Sequence, residues 1–285
     1  MIGIVLAGGM GTRLHPITKA NSKQILPVYD KPMIYYPITN LIELGCEEIV
    51  IISDPVNIYN YEKLLMPIEN LGLKLKYVVQ SEPNGLPEAF TLTEHIIKNR
   101  RTILVLGDNF FDKMSKLDAS NLKSNNAIFF STTVDNPSAF GVVKYEGARP
   151  ISVVEKPKHY VSDQAVVGLY CFPPDVVEKT KQLKRSARGE YEIADLINLY
   201  MNENRAIVKK IDDEVSWKDM GTIDDLLDTS NFVRAYQHNN GKLIGSIEYI
   251  LFKQGIISEY KLEKYLVNQP KSGYFNTLRS LISDD

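Results

Sequence analysis

Ile2-Gly3-Ile4-Val5-Leu6-Ala7 is an almost unbroken apolar run rich in β-branched residues, and it predicts a buried strand. After it, two kinds of periodicity alternate. Apolar positions at helical spacing over 33–44 predict a helix, with Gly45 as its C-terminal cap. Strands are predicted over 48–53, 73–80 and 102–106, and helices over 59–65 and 87–97. Strands alternating with helices predict βαβ units and an α/β fold with a mostly parallel central sheet flanked by helices. In open sheets of that kind ligands gather at the carboxyl ends of the strands. The loops 8–13, 80–85 and 107–109 are therefore expected to face one crevice.

The second half changes character. Strand-like pieces over 127–134, 141–145, 151–154 and 165–172 follow with few helices between them, which predicts an antiparallel addition. Helices are expected over 175–181 and 192–201, and a strand over 206–211. A helix over 222–236 places Ile223, Leu226, Leu227, Ser230 and Val233 on one face, with Thr222 as its cap and Asp225 at the third position. From Gly241 come short amphipathic helices around Leu262 and Leu278. They predict a helical appendage, 241–285, on a main domain, 1–240.

Composition narrows the class. The chain has 285 residues, 44% apolar and 24% charged, with a formal net charge of −2. That balance gives no reason to expect a nucleic-acid or membrane surface. No apolar run reaches the length of a membrane span and no signal-peptide pattern is visible, so a cytoplasmic protein is expected. Cys46 and Cys171 sit among apolar neighbours and are expected to be buried and reduced. The four histidines are scattered, and no Cys or His cluster has metal-ligand spacing.

The chemistry concentrates after the first strand, in Leu6-Ala7-Gly8-Gly9-Met10-Gly11-Thr12-Arg13-Leu14, with Lys23 shortly after. Glycines there free the backbone to aim N–H groups at an anion, a phosphate cradle, although a tight turn would use them equally well. Two familiar loops are excluded. A dinucleotide fingerprint needs glycine where Leu14 stands and a helix that Pro16 blocks, which also disfavours a nicotinamide-dependent dehydrogenase. A Walker A loop needs Gly-Lys-Ser/Thr, and here Thr12-Arg13 follows Gly11. Asp108, directly after an apolar strand, reads as a turn-capping carboxylate or as a Mg²⁺ ligand. Asp219, just before a helix, reads as a partner of the helix dipole or as a second ligand.

Leu-Ala-Gly-Gly-x-Gly-Thr-Arg-Leu-x-Pro-x-Thr, followed by Ser22-Lys23-Gln24-Ile25-Leu26-Pro27-Val28 and Asp30-Lys31-Pro32-Met33-Ile34, resembles the sugar-1-phosphate nucleotidylyltransferases. The resemblance is strongest to their glucose-1-phosphate thymidylyltransferase branch. It implies the Rossmann-like nucleotide-diphospho-sugar transferase fold and Mg²⁺-dependent transfer from dTTP to glucose 1-phosphate, giving dTDP-glucose and pyrophosphate. It also implies a homotetramer and a place in dTDP-sugar and polysaccharide biosynthesis.

By the same resemblance Leu6, Gly8, Gly9, Gly11 and Thr12 wrap the nucleotide, and Arg13 and Lys23 hold its phosphates. Gln80 and Gly85 read the base, and Asp108 and Asp219 bind the metal at the α-phosphate. Leu86, Gly141, Glu155 and the segment 166–170, with Val167, line the sugar pocket, while Lys156 and Arg188 hold the sugar phosphate. The sugar phosphate is already an anion near neutral pH, so no general base is needed, and cations must overcome the repulsion between two anions.

The pattern departs from the family in places. Asn84-Gly85-Leu86-Pro87-Glu88-Ala89 stands where Asp-Gly-Leu-Ala-Gln-Ala is usual, Phe140 replaces a tyrosine, and Met220 replaces a threonine. Residues 109–114 and 248–253 depart from the family's effector-site segments, which implies retuned feedback by an end-product sugar nucleotide. UTP, CTP or a modified sugar 1-phosphate keeps the same chemistry. A catalytically silent sugar-nucleotide sensor would predict loss of Arg13, Lys23, Asp108 or Asp219, and all four are present.

Overall fold

The computed structural model describes residues 1–9, 11–117 and 124–283; Met10 of the glycine loop lies outside these. The first half runs β1 (Ile2–Leu6), a small hairpin of β2 (Pro27–Val28) and β3 (Lys31–Pro32), α1 (Tyr35–Glu43), β4 (Glu48–Ser53), α2 (Ile58–Leu71), β5 (Lys74–Val79), α3 (Glu88–Leu92), α4 (Glu94–Ile97) and β6 (Thr102–Leu106). The second half adds β7 (Asn109–Phe111), β8 (Ala127–Thr133), β9 (Gly141–Glu146), β10 (Arg149–Glu155), β11 (Gln164–Phe172), α5 (Val176–Thr180), α6 (Ile193–Asn202), β12 (Ala206–Lys210), β13 (Trp217–Asp219) and α7 (Ile223–Asn240). Three helices follow: α8 (Ile247–Lys253), α9 (Glu259–Val267) and α10 (Gly273–Ser283).

Among the described residues nine strands join one sheet, in the order β10-β9-β11-β6-β1-β4-β5, with β8 on β11 and β12 on β8. β1 lies at the middle, parallel to both β6 and β4. The parallel half ends at β6, where β11 pairs antiparallel and opens the antiparallel addition. All five residues of β1 are buried, as a strand covered on both faces requires. Its side chains alternate between two cores: Val5 faces one with Ile38, Leu65 and Val167, while Ile2, Ile4 and Leu6 face another with Phe90, Phe129 and Leu196. Leu251, Leu262, Leu266 and Leu278 of the C-terminal helices pack into the first of these cores.

Three expectations need correction. The helix expected over 87–97 is two short ones, because Thr93, at φ −103° and ψ 11°, leaves helical geometry. The helix expected to end at 65 continues through Pro67 to Leu71, where Gly72 caps it. On α7 the buried residues are Thr229 and Val233, while Ile223 and Leu227 are exposed. That helix meets the body along one narrow stripe, so half of the apolar face is left in solvent. Its start is as expected, with Thr222 and Asp225 forming a reciprocal capping box. Both cysteines are free and buried. No helix among the described residues is long and apolar enough to cross a membrane.

Candidate active site

At the carboxyl end of β1 the chain leaves the sheet through the glycine loop, with Gly9 and Gly11 at positive φ. The Leu6 carbonyl accepts from the Gly107 N–H at 2.8 Å, which ties the end of β1 to the loop after β6. The Thr18 hydroxyl donates to the Gly11 carbonyl at 2.7 Å, and the one-turn helix Thr12–Leu14 carries Arg13. Lys23 is buried, and its ammonium donates to Asp108 Oδ2 at 2.5 Å, joining segments 85 positions apart. Gln80 follows β5, and its Oε1 lies 3.9 Å from where a Cβ on Gly8 would stand. The three loops expected to share a crevice therefore do so.

Asp108 and Asp219, 111 positions apart in the chain, are brought together by two three-residue strands. β7 pairs antiparallel with β13, Asp219 stands opposite Asn109, and the Met220 N–H donates to the Asp108 carbonyl at 3.0 Å. Burial and then the charge of Asp108 push the Asp219 carboxyl up to about 6, against the pull of Lys23 and Arg13. The Arg13 guanidinium and Asp219 Oδ2 both lie within about 3.2 Å of the position a Cβ on Gly221 would take. Asn109 holds this corner in place. Its Nδ2 donates to Asp108 Oδ1 at 3.1 Å, and its Oδ1 accepts from the Gly168 N–H and the Trp217 indole at 3.0 and 2.7 Å.

Two facing carboxylates offer only hard oxygen donors, a set suited to a divalent cation of the Mg²⁺ or Ca²⁺ kind. Among the described residues no group of three His, Cys, Asp or Glu side chains could hold a metal. A cation held here would draw its remaining oxygens from phosphate and water.

Beside this corner opens a cleft of about 210 Å³, lined by Arg13, Asp108 and Asp219 at one end and by Leu86, Gly141, Glu155 and Lys156 toward the other. Its floor is β11, which is irregular between Val166 and Tyr170. Of the segment 166–170, Val166, Gly168 and Tyr170 line the cleft, whereas the Val167 side chain packs into the core on the opposite face. Period-two alternation along a strand dictates that split. Gly168 is required by contact, since a Cβ there would lie 2.7 Å from Asn109 Oδ1. Burial, then the carboxylates of Glu155, Asp108 and Asp219, raise the Tyr170 phenol, so it stays neutral.

Glu155 and Lys156 leave the end of β10, and Lys156 adopts φ of 42°, a left-handed conformation rare outside glycine. Burial, then the Glu192 charge, raise the Glu155 carboxyl, while Lys156 and Arg188 oppose the shift. Arg188 does not line the cleft. It forks onto Glu192, with Nε at 3.0 Å from Oε1 and Nη2 at 2.6 Å from Oε2, and lies 3.7 Å from both Glu155 and Glu190. Gly85 sits under this loop at φ of 104°, where a Cβ would be 2.1 Å from the Tyr191 carbonyl oxygen.

Four residues of the site carried no role in the sequence reading. Asn109 falls within the 107–109 loop and Trp217 in no motif, and the bond between them spans 108 positions. Glu192 was visible only as a helix start, and Glu88 only as a departure from the family pattern. The partners of Asn109 and Trp217 arrive from other elements and no local pattern marks them, whereas Glu192 and Glu88 pair with Arg188 and Asn84 four positions earlier, a spacing the sequence does show.

Comparison with known proteins identifies the family. A family model described as Nucleotidyl transferase matches residues 2–235. Glucose-1-phosphate thymidylyltransferase of Mycobacterium tuberculosis is 42% identical over 287 residues, covering 99% of each chain. A solved Bacillus anthracis protein, assigned as a glucose-1-phosphate thymidylyltransferase and in complex with sucrose, superposes with a TM-score of 0.75 at 33% identity, covering 82% of this chain and 96% of that one. UDP-glucose pyrophosphorylase complexed with UDP-glucose gives a TM-score of 0.71 at 26% identity, over 84% of this chain and 99% of that one.

Proposed function

This chain belongs to the nucleotidyl transferase family and is a sugar-phosphate nucleotidyltransferase, and within that family we propose that it transfers a thymidylyl group from dTTP to α-D-glucose 1-phosphate, giving dTDP-glucose and pyrophosphate. The observation that carries the reading is one corner where Lys23, Arg13, Asp108 and Asp219 meet at the end of a cleft that also holds Glu155 and Lys156.

The sugar phosphate oxygen attacks the α-phosphorus, and the bond from that phosphorus to the pyrophosphate oxygen breaks. Because the nucleophile arrives as an anion, no residue need remove a proton from it. Arg13 and Lys23 receive the triphosphate, with the N–H groups around Gly8, Gly9, Gly11 and Thr12 as further donors. Lys156 receives the sugar phosphate, and Glu155 accepts hydrogen bonds from sugar hydroxyls. Arg188 reaches the same phosphate only by exchanging its Glu192 partner. Gln80 reads the base beside the backbone of Gly85, and Leu86 and Gly141 bound the sugar. Asp108 and Asp219 would hold Mg²⁺, whose chemistry is to neutralise charge at the α-phosphate and orient it for in-line displacement.

The reading extends to a cytoplasmic homotetramer, with 241–285 as an appendage to a 1–240 domain that helps form contacts between copies. Pyrophosphate release measured for each of four nucleoside triphosphates against several sugar 1-phosphates tests the central claim. The expected result is release that requires both substrates and is fastest with dTTP and glucose 1-phosphate. Fastest release with UTP or CTP would move the proposal to that nucleotide. Binding of sugar nucleotides without release would leave a silent relative.

A further inference from the structure

We propose that Lys23 holds the place of the divalent cation in the unliganded corner, so that the metal enters only once a triphosphate has drawn the ammonium away from Asp108. The inference rests on the reading above in one respect, that Asp108 and Asp219 are the metal's protein ligands.

Both oxygens of Asp108 are already engaged. Oδ2 accepts from Lys23 Nζ at 2.5 Å, and Oδ1 accepts from Asn109 Nδ2 at 3.1 Å. Arg13 brings a second positive charge to Asp219, since its guanidinium and Asp219 Oδ2 flank the same point at Gly221. Two carboxylates thus face two cations, and the corner is formally neutral on its own. A free divalent cation would meet an ammonium on an oxygen it needs. It would also lack donors, because among the described residues no group of three acid, His or Cys side chains is placed to hold a metal.

Lys23 does not leave this partner for water. Its side chain is 6% exposed and that of Asp108 is 21% exposed. A buried ammonium parted from its carboxylate is strongly disfavoured unless another anion takes over. The backbone that carries Lys23 is held as well. Ser22 Oγ donates to Gln24 Oε1 at 2.8 Å, and the buried Tyr61 hydroxyl lies 2.5 Å from the first and 3.2 Å from the second. Exchange of partners is therefore a movement of the lysine side chain alone.

A triphosphate supplies the replacement anion. Its oxygens meet the two N–H groups that Lys23 has spare, and the transfer frees Asp108 Oδ2 while bringing the phosphate oxygens that a hard cation also needs. Metal and triphosphate then favour each other's binding, by the same factor whichever is added first.

The experiment titrates Mn²⁺, an oxygen-preferring and paramagnetic stand-in for Mg²⁺, into the nucleotide-free full chain and reads the unbound ion by electron paramagnetic resonance. Wild type, Lys23→Met, Lys23→Arg, Asp108→Asn and the double variant Lys23→Met with Asp108→Asn are compared. The expected result is weak binding by wild type and Lys23→Arg, and binding about tenfold tighter in Lys23→Met, the lower end of what one charge a few ångströms away does to an ionic equilibrium. Against Asp108→Asn alone, the double variant is expected to lose most of that gain, because the gain comes from the freed carboxylate. Binding in Lys23→Met no tighter than in wild type would overturn the proposal. So would a gain of full size in the absence of Asp108.

Should Lys23→Met fold poorly, calorimetry on the wild type decides. It is expected to bind dTTP with a chelator present, and to bind Mn²⁺ without nucleotide more weakly than that; the opposite ranking would overturn the proposal. Binding is read apart from turnover, so a gain in Lys23→Met beside a wild type that releases no pyrophosphate defeats the proposed reaction and not this inference. A wild type that releases pyrophosphate, with no gain in Lys23→Met, defeats this inference alone.

Discussion

Lys23 and Lys31 are both buried ammonium groups beside an aspartate, with side chains 6% and 1% exposed, and they differ in what is left over once their partners are satisfied. Lys31 donates to Asp30 and to Gln237 Oε1, the latter at 2.9 Å, and lies 5.7 and 5.3 Å from the ring centroids of Tyr36 and Tyr274. Gln237 Nε2 closes the set by donating to the other oxygen of Asp30 at 2.9 Å. Buried Glu248, hydrogen-bonded to the Tyr274 hydroxyl, adds a second acid nearby. Burial lowers the Lys31 ammonium, and the charges of Asp30 and Glu248 work against that. This cluster clasps the β2–β3 hairpin, α7, α8 and α10 together.

Lys23, among the described residues, has Asp108 as its hydrogen-bond partner. An ammonium has three N–H donors, so two remain for a ligand at the crevice. A saturated lysine holds elements together, and an unsaturated one is available to bind.

The comparison can be broken most sharply at Lys31. Lys31→Ala leaves half-buried Asp30 and buried Glu248 without their cation, and about 3–5 kcal/mol of stability should be lost. Urea unfolding would read that loss, while turnover per folded molecule stays near wild type. Lys23→Ala and Asp108→Asn should do the reverse. Removing one preorganised electrostatic partner costs ~3–4 kcal/mol, or roughly 10²–10³ in turnover, in variants that remain folded. Unfolding by Lys23→Ala, or normal turnover in it, would erase the distinction.

A smaller effect depends on pH. Burial first of all raises the Glu248 carboxyl above its ordinary 4.5, although Tyr274, its backbone and Lys31 pull it down. A folded value above the unfolded one means that the folded state holds the proton more tightly. Its contribution to stability is then complete below the unfolded value and is lost as pH rises through the folded one. Glu248→Gln cannot titrate, so its unfolding free energy should gain on wild type as pH rises from 4.5 toward neutral. A constant gap between the two would contradict this. Smallest of all, Thr222→Ala removes the cap three residues beyond Asp219 and should cost about 1 kcal/mol of stability with turnover largely kept.

Much of this arrangement is legible along the chain, for stated reasons. The run 2–7 reads as a buried strand because both faces of β1 are covered, and the strand expected over 102–106 has those bounds. Thr222 and Asp225 announce a helix start because capping is local chemistry. What stays illegible depends on partners far along the chain. β7 and β13 are three residues each and have no pattern of their own until they pair. The inward turn of Val167, beside Val166 and Gly168 in the cleft, needs the register of β11, and apolar content alone does not supply it. Likewise the approach of Glu155 to Arg188 needs β10 beside the 186–192 loop, although Glu190 and Glu192 stand next to Arg188 in the sequence.

The most direct test is the initial rate of pyrophosphate release from dTTP and glucose 1-phosphate by the wild type and by Asp108→Asn, with melting curves taken on the same preparations. The account predicts release that needs both substrates and falls roughly 10²–10³-fold in the variant, which remains folded. A wild type that releases no pyrophosphate from any pairing of triphosphate and sugar 1-phosphate, or a variant that releases it at the wild-type rate, would contradict it.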